Sequence, residues 1–326
     1  MAKYLVTGAA GFIANRVAEM LLDEGHSVIG VDNMNDAYDV RMKEFRLEKL
    51  LHRSGFHFHQ QDISDKDAIL GLAEEVQGAA AVINLAARAG VRASVENPWV
   101  YVDTNMTGTL NLLELCRLVK IPKLLLASTS SVYGQDVPLP TPETSSSSLP
   151  LQPYAASKKG AEAMAHAYHF LHGIDISVVR YFTVYGPAGR PDMVMFRFAK
   201  WLVDGQPLHL NGDGTQSRGF TYVDDIARGT IQALRPLGFQ VINLGGHETI
   251  TINQLISMME EITGKQAEII QHPFPKADML TNHADTSKAM ELLGWQPTVS
   301  LRQGISATVQ WYLDHHDWAK DLDVGI

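Results

Sequence analysis

The chain has 326 residues, 45% hydrophobic and 19% charged, an ordinary globular composition with room for one large domain and an appended lobe, or for two domains. Its 27 basic and 36 acidic residues leave a formal net charge of -9, which argues against a general nucleic-acid binder, and no apolar run approaches the ~18 residues of a membrane span. A single cysteine, Cys116 in the apolar stretch 112–116, excludes an intrachain disulfide and reads as a small buried hydrophobe in a reducing compartment.

The chain enters a strand at Tyr4-Leu5-Val6 without the basic start, apolar core and cleavage site of a secretion signal, so a cytoplasmic location is expected. Short β-branched runs at 3–6, 27–31, 56–60, 81–85, 123–128 and 176–180 predict strands. Between them the spacing predicts helices near 12–24, 37–53, 65–76, 98–119 and 154–172. Such alternation implies a parallel sheet covered on both faces, and the nearly all-apolar strands fit burial on both sides. The segment 135–153, with Pro138, Pro140, Pro142, Pro150 and Pro153, reads as a loop across the site, its run Ser145 to Ser148 as solvated linker. After residue 186 come a helix over 193–204, a turn at Asn211-Gly212-Asp213-Gly214, a strand over 240–244 and helices over 251–263 and 300–314. The expected architecture is α/β: a Rossmann-like doubly wound parallel sheet over 1–186, with some later segments returning to it, and a smaller mixed α/β substrate lobe over 187–326.

The first strand runs into Gly8-Ala9-Ala10-Gly11-Phe12-Ile13 and then a helix. Glycines allow the tight turn and close approach of backbone to a pyrophosphate, and the helix N-terminus offers oriented N–H groups. Ala14 stands where a third glycine often sits, and Ala serves there as well. Asp32 ends the second strand 21 residues after Gly11, placed to accept from adenine ribose hydroxyls and to repel a 2′-phosphate, so NAD is expected. Asp62-Ile63, after the third strand, is the expected adenine contact.

Tyr154 and Lys158, in Tyr154-Ala155-Ala156-Ser157-Lys158, share one helix face. A nearby ammonium, with the positive charge of an oxidised nicotinamide, is expected to stabilise the phenolate so that Tyr154 acts as a general base near neutral pH. The paired histidines His57/His59 and His315/His316 lack companion ligands at metal-binding spacing and read as structural, so no metal is expected.

Further segments occur in order: Asn84-Leu85-Ala86-Ala87, Ser128-Thr129-Ser130-Ser131-Val132-Tyr133-Gly134, Arg180-Tyr181-Phe182-Thr183-Val184-Tyr185-Gly186-Pro187 and Arg218-Gly219-Phe220-Thr221-Tyr222-Val223-Asp224-Asp225. With the loop and Tyr154/Lys158 they resemble, along nearly the whole chain, the extended short-chain dehydrogenase/reductases that act on sugar nucleotides. Arg88 to Arg92 with Glu96-Asn97-Pro98, and Gly189 to Met193, resemble the UDP-glucuronate 4-epimerases more narrowly.

The resemblance implies a site. Tyr154 would remove the sugar 4-hydroxyl proton while the 4-hydride passes to nicotinamide, giving a transient 4-keto sugar that turns and is reduced on its other face. Lys158 would hold the nicotinamide ribose, and Thr129 would bond the reacting oxygen. Asn33, Leu85, Ala86, Ala87, Asn105 and Tyr181 would join Gly8, Ala10, Gly11, Phe12, Ile13, Asp32, Asp62 and Ile63 around NAD. Arg190 and Arg218 would take the substrate diphosphate and Arg92 the diphosphate or uronate, with Asp278 at the nucleotide ribose. Arg88 is the least specific of these arginines. A homodimer through the helices at 98–119 and 154–172 is also implied.

Ser130 and Ser131 stand where related dehydratases carry an Asp-Glu pair, and Ser131 where decarboxylases carry Glu. Thr183 replaces the Asn of many relatives that act on neutral sugars. Oxidation at C4 of a uronate creates a β-keto acid prone to lose carbon dioxide, so an epimerase must hold the carboxylate out of line. Thr129, Ser130, Ser131 and Thr183 supply hydroxyls for that grip. The expected activity is interconversion of UDP-glucuronate and UDP-galacturonate. The rivals are a neutral-sugar 4-epimerase, a UDP-glucuronate decarboxylase and a non-catalytic NAD sensor.

Overall fold

A computed structural model describes residues 1–246, 248–275 and 279–325. Six parallel strands come from the first part of the chain: β1 (Lys3–Thr7), β2 (Ser27–Asp32), β3 (Phe56–Gln60), β4 (Ala81–Asn84), β5 (Lys123–Thr129) and β6 (Asp175–Tyr181). Beyond them lie β7 (Val184–Tyr185), β8 (Leu208–Asn211), β9 (Ser217–Gly219), β10 (Thr221–Tyr222), β11 (Phe239–Leu244), β12 (Thr249–Thr251), β13 (Ile269–His272) and β14 (Thr281–Asn282). The main sheet has seven strands in the order β11-β6-β5-β4-β1-β2-β3. Every residue of β4 and β5 is buried, which is why the middle of each strand reads as an apolar run. The strand order reverses between β1 and β4, and in such sheets the crevice beyond the strands' C-terminal ends at that point is where ligands bind.

The helices over the sheet are α1 (Phe12–Asp23), α2 (Arg41–Leu51), α3 (Lys66–Leu70), the short α4 (Ala93–Glu96) and α5 (Trp99–Tyr101), α6 (Gly108–Val119) and α7 (Pro153–His172). Later come α8 (Val194–Asp204), α9 (Val223–Gln232), α10 (Ile252–Thr263), α11 (Ser287–Leu293) and α12 (Leu301–Asp314). One face of the sheet buries Leu112, Leu113 and Cys116 of α6 and Ala161 and Ala165 of α7; the other buries Val17 and Leu21 of α1, Ile226 of α9 and Trp295. A third core joins Phe196 and Trp201 of α8, Leu255 and Met259 of α10 and Ile305 and Val309 of α12, and it includes Met42 of α2. Paired strands β8–β13 and β7–β10, and the triple β12-β9-β14, flank this third core. Among the described residues no helix is long and apolar enough to cross a membrane.

Several elements differ from their periodicity. The helix expected from 37 begins at Arg41, because Asn35 Oδ1 accepts from Ala37 N (3.1 Å) and Asp39 Oδ1 from Arg41 N (3.1 Å), local bonds that compete with a helical turn. The helix expected over 65–76 is capped by Asp65 but ends at Leu70, with Gly71 following. The helix expected over 98–119 is broken by a π-helical turn at 102–107, which turns Asn105 inward to bond the Arg88 backbone at both N (2.9 Å) and O (3.1 Å). The proline-rich segment does cross to the far side: Thr141 N donates to His283 O (2.8 Å) and Asp285 N to Thr141 O (3.0 Å). Its serine run is not solvated throughout, for Ser147 is buried and its hydroxyl accepts from Arg180 Nη2 at 3.3 Å.

Candidate active site

The C-terminal ends of β1, β2, β4, β5 and β6 open onto one cleft of about 750 Å³. That size suits a small-molecule ligand rather than a polymer. On one side lie Gly8, Gly11, Phe12, Ile13, Asp32, Asn33, Asp62, Ile63, Leu85, Ala86 and Ala87. Gly8 has φ +74°, and a Cβ there would meet the Ala86 backbone at 2.9 Å; a Cβ on Gly11 would meet Gly8 O at 2.8 Å. The loop therefore requires glycine at both positions. It opens α1 at Gly11 with no capping side chain and no acidic residue in the first turn, leaving the helix terminus suited to an anion.

Asp32 is oriented from behind, accepting from Ala10 N at 3.2 Å and Met34 N at 2.8 Å, with Lys43 Nζ at 3.5 Å. Asp62 accepts from Asn33 Nδ2 at 2.6 Å and from Ser64. Burial pushes its carboxyl up, but these hydrogen bonds outweigh burial and hold it below the usual carboxylate range. Two residues expected around the dinucleotide do not line the cleft. Ala10 turns its N–H to Asp32, and Asn105, 1% exposed, spends its amide on Arg88 and on Ser157 Oγ (2.9 Å). Tyr181 lines the cleft while its hydroxyl pairs with Thr230 Oγ1 at 2.7 Å.

Tyr154 and Lys158 both reach the cleft from the first two turns of α7, which begins at Pro153, a residue suited to the first helical position. Burial raises the Tyr154 phenol above its ordinary value, while a hydrogen bond from Thr129 and the charge of Arg190 pull it down. The expected lowering is thus not achieved by the protein's own groups. Lys158, 3% exposed, donates to Ala127 O at 2.9 Å, and burial pulls it down to about 8 against the attraction of Glu162. Tyr101 meets the Tyr154 ring edge-on at 6.1 Å and donates to Gly90 O at 2.9 Å, tying the 89–93 loop to the same wall.

One turn below Lys158, Glu162 anchors α7 to the sheet. It accepts from Arg180 Nε (2.9 Å) and Nη2 (2.7 Å) and from Ser128 Oγ (2.6 Å). Burial raises the Glu162 carboxyl, yet these partners outweigh it and hold it low.

The floor is the end of β5 and the 3₁₀ turn after it. Thr129 Oγ1 accepts from Ser131 N at 3.1 Å, which leaves its proton for the Tyr154 oxygen. Ser130 Oγ accepts from Asn282 Nδ2 at 2.9 Å. Ser131 and Thr183 complete this hydroxyl-lined floor. Arg92, Arg190 and Arg218 also line the cleft. The Asn211 amide, with its oxygen toward the guanidinium, accepts from Arg92 at 3.1 and 3.2 Å. Arg190 is bidentate to Asp192 (3.0 and 2.6 Å), and Arg218 donates to the carbonyls of Met279 (2.6 Å) and Leu280 (3.1 Å). Asp278 lies outside the described residues. Sequence reasoning missed Tyr38, Lys43, Arg46, Tyr101, Glu162, Asn211 and Asn282. No local motif marks them.

A doubly wound sheet with a glycine-rich first turn, an acidic second strand end and a Tyr-x-x-x-Lys helix on one cleft defines a dinucleotide-binding protein of the short-chain dehydrogenase/reductase type. The chain belongs to the NAD dependent epimerase/dehydratase family, whose model matches residues 4–245. It is 54% identical over 325 residues to a UDP-glucuronate 4-epimerase of Thermodesulfobacterium geofontis (strain OPF15), covering 99% of this chain and 100% of that one. Its fold matches the Bacillus cereus UDP-glucuronic acid 4-epimerase in complex with UDP-glucuronic acid and NAD at a TM-score of 0.88, with 38% identity and coverage of 96% and 99%. It also matches the UDP-glucose 4-epimerase of Thermotoga maritima with UDP-glucose at a TM-score of 0.89, with 33% identity and the same coverages.

Proposed function

We propose that this protein is a UDP-glucuronate 4-epimerase, interconverting UDP-glucuronate and UDP-galacturonate with bound NAD. The observation that carries the reading is the floor of the cleft: Tyr154 and Thr129 stand beside Ser130, Ser131 and Thr183, with hydroxyls where an eliminating or decarboxylating relative would need a carboxylate. The glycine geometry at Gly8 and Gly11 and the cap-free start of α1 fit a pyrophosphate, and Asp32 and Asp62 fit ribose and adenine. NAD, when bound, supplies a hydride acceptor and donor at C4 and a positive ring charge.

Tyr154 takes the proton of the sugar 4-hydroxyl and later returns it, and Thr129 holds the same oxygen through its free proton. Lys158 binds the nicotinamide ribose and keeps its charge near the phenol. Ser130, Ser131 and Thr183 grip the C6 carboxylate beside Thr129, keeping its C–C bond out of the alignment that loses carbon dioxide. Asn282 fixes the rotamer of Ser130 for that purpose. Arg92, Arg190 and Arg218 bind the uronate and diphosphate end, with Asp278 at the nucleotide ribose. We place the enzyme in the cytosol as a homodimer. Its contact would be the face of α5–α7 that exposes Trp99 (75%), Leu118 (50%) and Phe170 (80%).

The test is incubation of the purified protein with UDP-glucuronate, with and without added NAD, and resolution of the products by NMR. UDP-galacturonate as sole product is the expected result. A UDP-pentose with released carbon dioxide would reject the hydroxyl grip, and no turnover of the uronate would reject the substrate.

A further inference from the structure

Arg46, on α2, is 2% exposed, and all its acceptors among the described residues are uncharged. Nε donates to Ala188 O at 2.9 Å, Nη1 to Ala10 O at 3.2 Å and Tyr38 Oη at 2.8 Å, and Nη2 to Gly189 O at 3.1 Å. The carbonyls come from two segments far apart in sequence. Ala10 belongs to the glycine-rich loop, and Ala188 and Gly189 to the loop that leads into Arg190.

Two further observations give this bracket a purpose. Ala188 sits at φ 53°, a left-handed conformation unfavourable for a residue with a Cβ, and it is held there with its carbonyl bonded by Arg46. The Tyr38 ring, whose hydroxyl Arg46 also binds, has three cations around it: Lys43 Nζ at 5.6 Å, Arg46 at 5.5 Å and Arg190 at 5.4 Å from its centroid. Lys43 faces Asp32 on the dinucleotide side, whereas Arg190 pairs with Asp192 on the other. One aromatic ring and one buried guanidinium therefore touch both halves of the cleft. A buried charge with only neutral acceptors is also stabilised by an anion arriving in either half.

We propose that Arg46, with Tyr38, is a positioning bracket that couples the two halves of the cleft, so that a ligand in one half tightens the loop that serves the other. The bracket orders the 186–190 backbone against the glycine-rich loop, and ordering one segment lowers the cost of ordering its neighbour. The proposal rests on the reading that NAD and a UDP-sugar share this cleft.

The test measures release of NAD from NAD-loaded protein, with and without saturating UDP. UDP is expected to slow release about fivefold or more in the wild type, and Arg46→Met to bring that ratio close to one. A purely structural role would lower the melting temperature and speed release equally in both conditions, leaving the ratio unchanged. A wild-type ratio of one, or a full ratio in Arg46→Met, overturns the proposal. Should Arg46→Met not fold or not retain NAD, Tyr38→Phe keeps the ring and removes one acceptor; an intermediate ratio supports the bracket and a wild-type ratio overturns it. Wild-type protein that binds neither NAD nor UDP would instead refute the functional reading itself.

Discussion

Arg180 and Arg46 are both buried, at 3% and 2% exposure, yet they are satisfied in opposite ways. Arg180 lies under α7 and spends two nitrogens on the Glu162 carboxylate, so its charge is neutralised within the fold. Arg46 lies behind the glycine-rich loop and bonds only carbonyls and a phenol. An ion pair fixes a helix whose side chains must hold station, and it contributes no field to the cleft. A guanidinium on neutral acceptors keeps its charge, which is useful only where an anion arrives. Arg180, beneath the helix that carries Tyr154 and Lys158, is thus cancelled charge, and Arg46, behind the glycine-rich loop, is charge left open.

The sharpest way to break this comparison is at the proton-moving side. Tyr154→Phe removes the acid and base and is expected to cost at least ~100-fold in epimerisation rate, with the fold and NAD binding intact; a near-normal rate would remove Tyr154 from the chemistry. Glu162→Gln leaves Arg180 without its counter-charge and is expected to cost about 3–5 kcal/mol of stability by chemical denaturation at neutral pH. The folded Glu162 carboxyl is held low, so its stabilisation is complete above the ordinary carboxylate range and is lost as pH falls through the folded value. The gap between wild type and Glu162→Gln should therefore close in acid. A gap independent of pH would mean that packing rather than charge anchors α7.

Smaller effects sharpen the picture of the floor. Thr183→Val removes one hydroxyl and is expected to raise the KM for UDP-glucuronate about tenfold, in line with the loss of one hydrogen bond to a charged group. Equal weakening toward a neutral UDP-sugar would show that Thr183 does not read the carboxylate. The smallest effect concerns Lys158. Its ammonium is pulled down to about 8 in the folded protein, so the unfolded chain binds more protons between that value and the ordinary lysine range. This group's contribution to stability should rise as pH climbs through that window. Lys158→Met should flatten that rise in pH-dependent denaturation curves, and an unchanged slope would mean that Lys158 is solvated in the folded protein.

Much of this was legible because it is local. Gly8 and Gly11 follow a strand and open a helix, Asp32 closes the next strand, and Tyr154 and Lys158 are one turn apart, so pattern and spacing place them on a shared cleft. The parallel sheet was legible from strand–helix alternation, and β11 from its apolar run. The helix over 98–119 misled because periodicity cannot register one extra residue in a π turn. Asn282 and Asn211 are unremarkable asparagines until β14 and β8 carry them to Ser130 and Arg92. Ala10 was read by its neighbours in the loop, although its N–H is committed to Asp32. Arg46 looked like any helix-surface arginine because its carbonyl acceptors lie more than a hundred residues away or on the loop before α1.

The seventh strand carries a consequence for how the molecule is made. β11 pairs along its whole length with β6, but residues 182–238, including α8 and α9, intervene. A chain leaving the ribosome can assemble β1 through β6 and must then wait, with the apolar edge Ile176–Tyr181 uncovered, until residues 239–244 emerge. That interval is a window for edge-to-edge association between nascent chains. Slow synthesis through 182–238, or damage to β11, should therefore appear first as aggregation during expression rather than as loss of activity in the protein that matures.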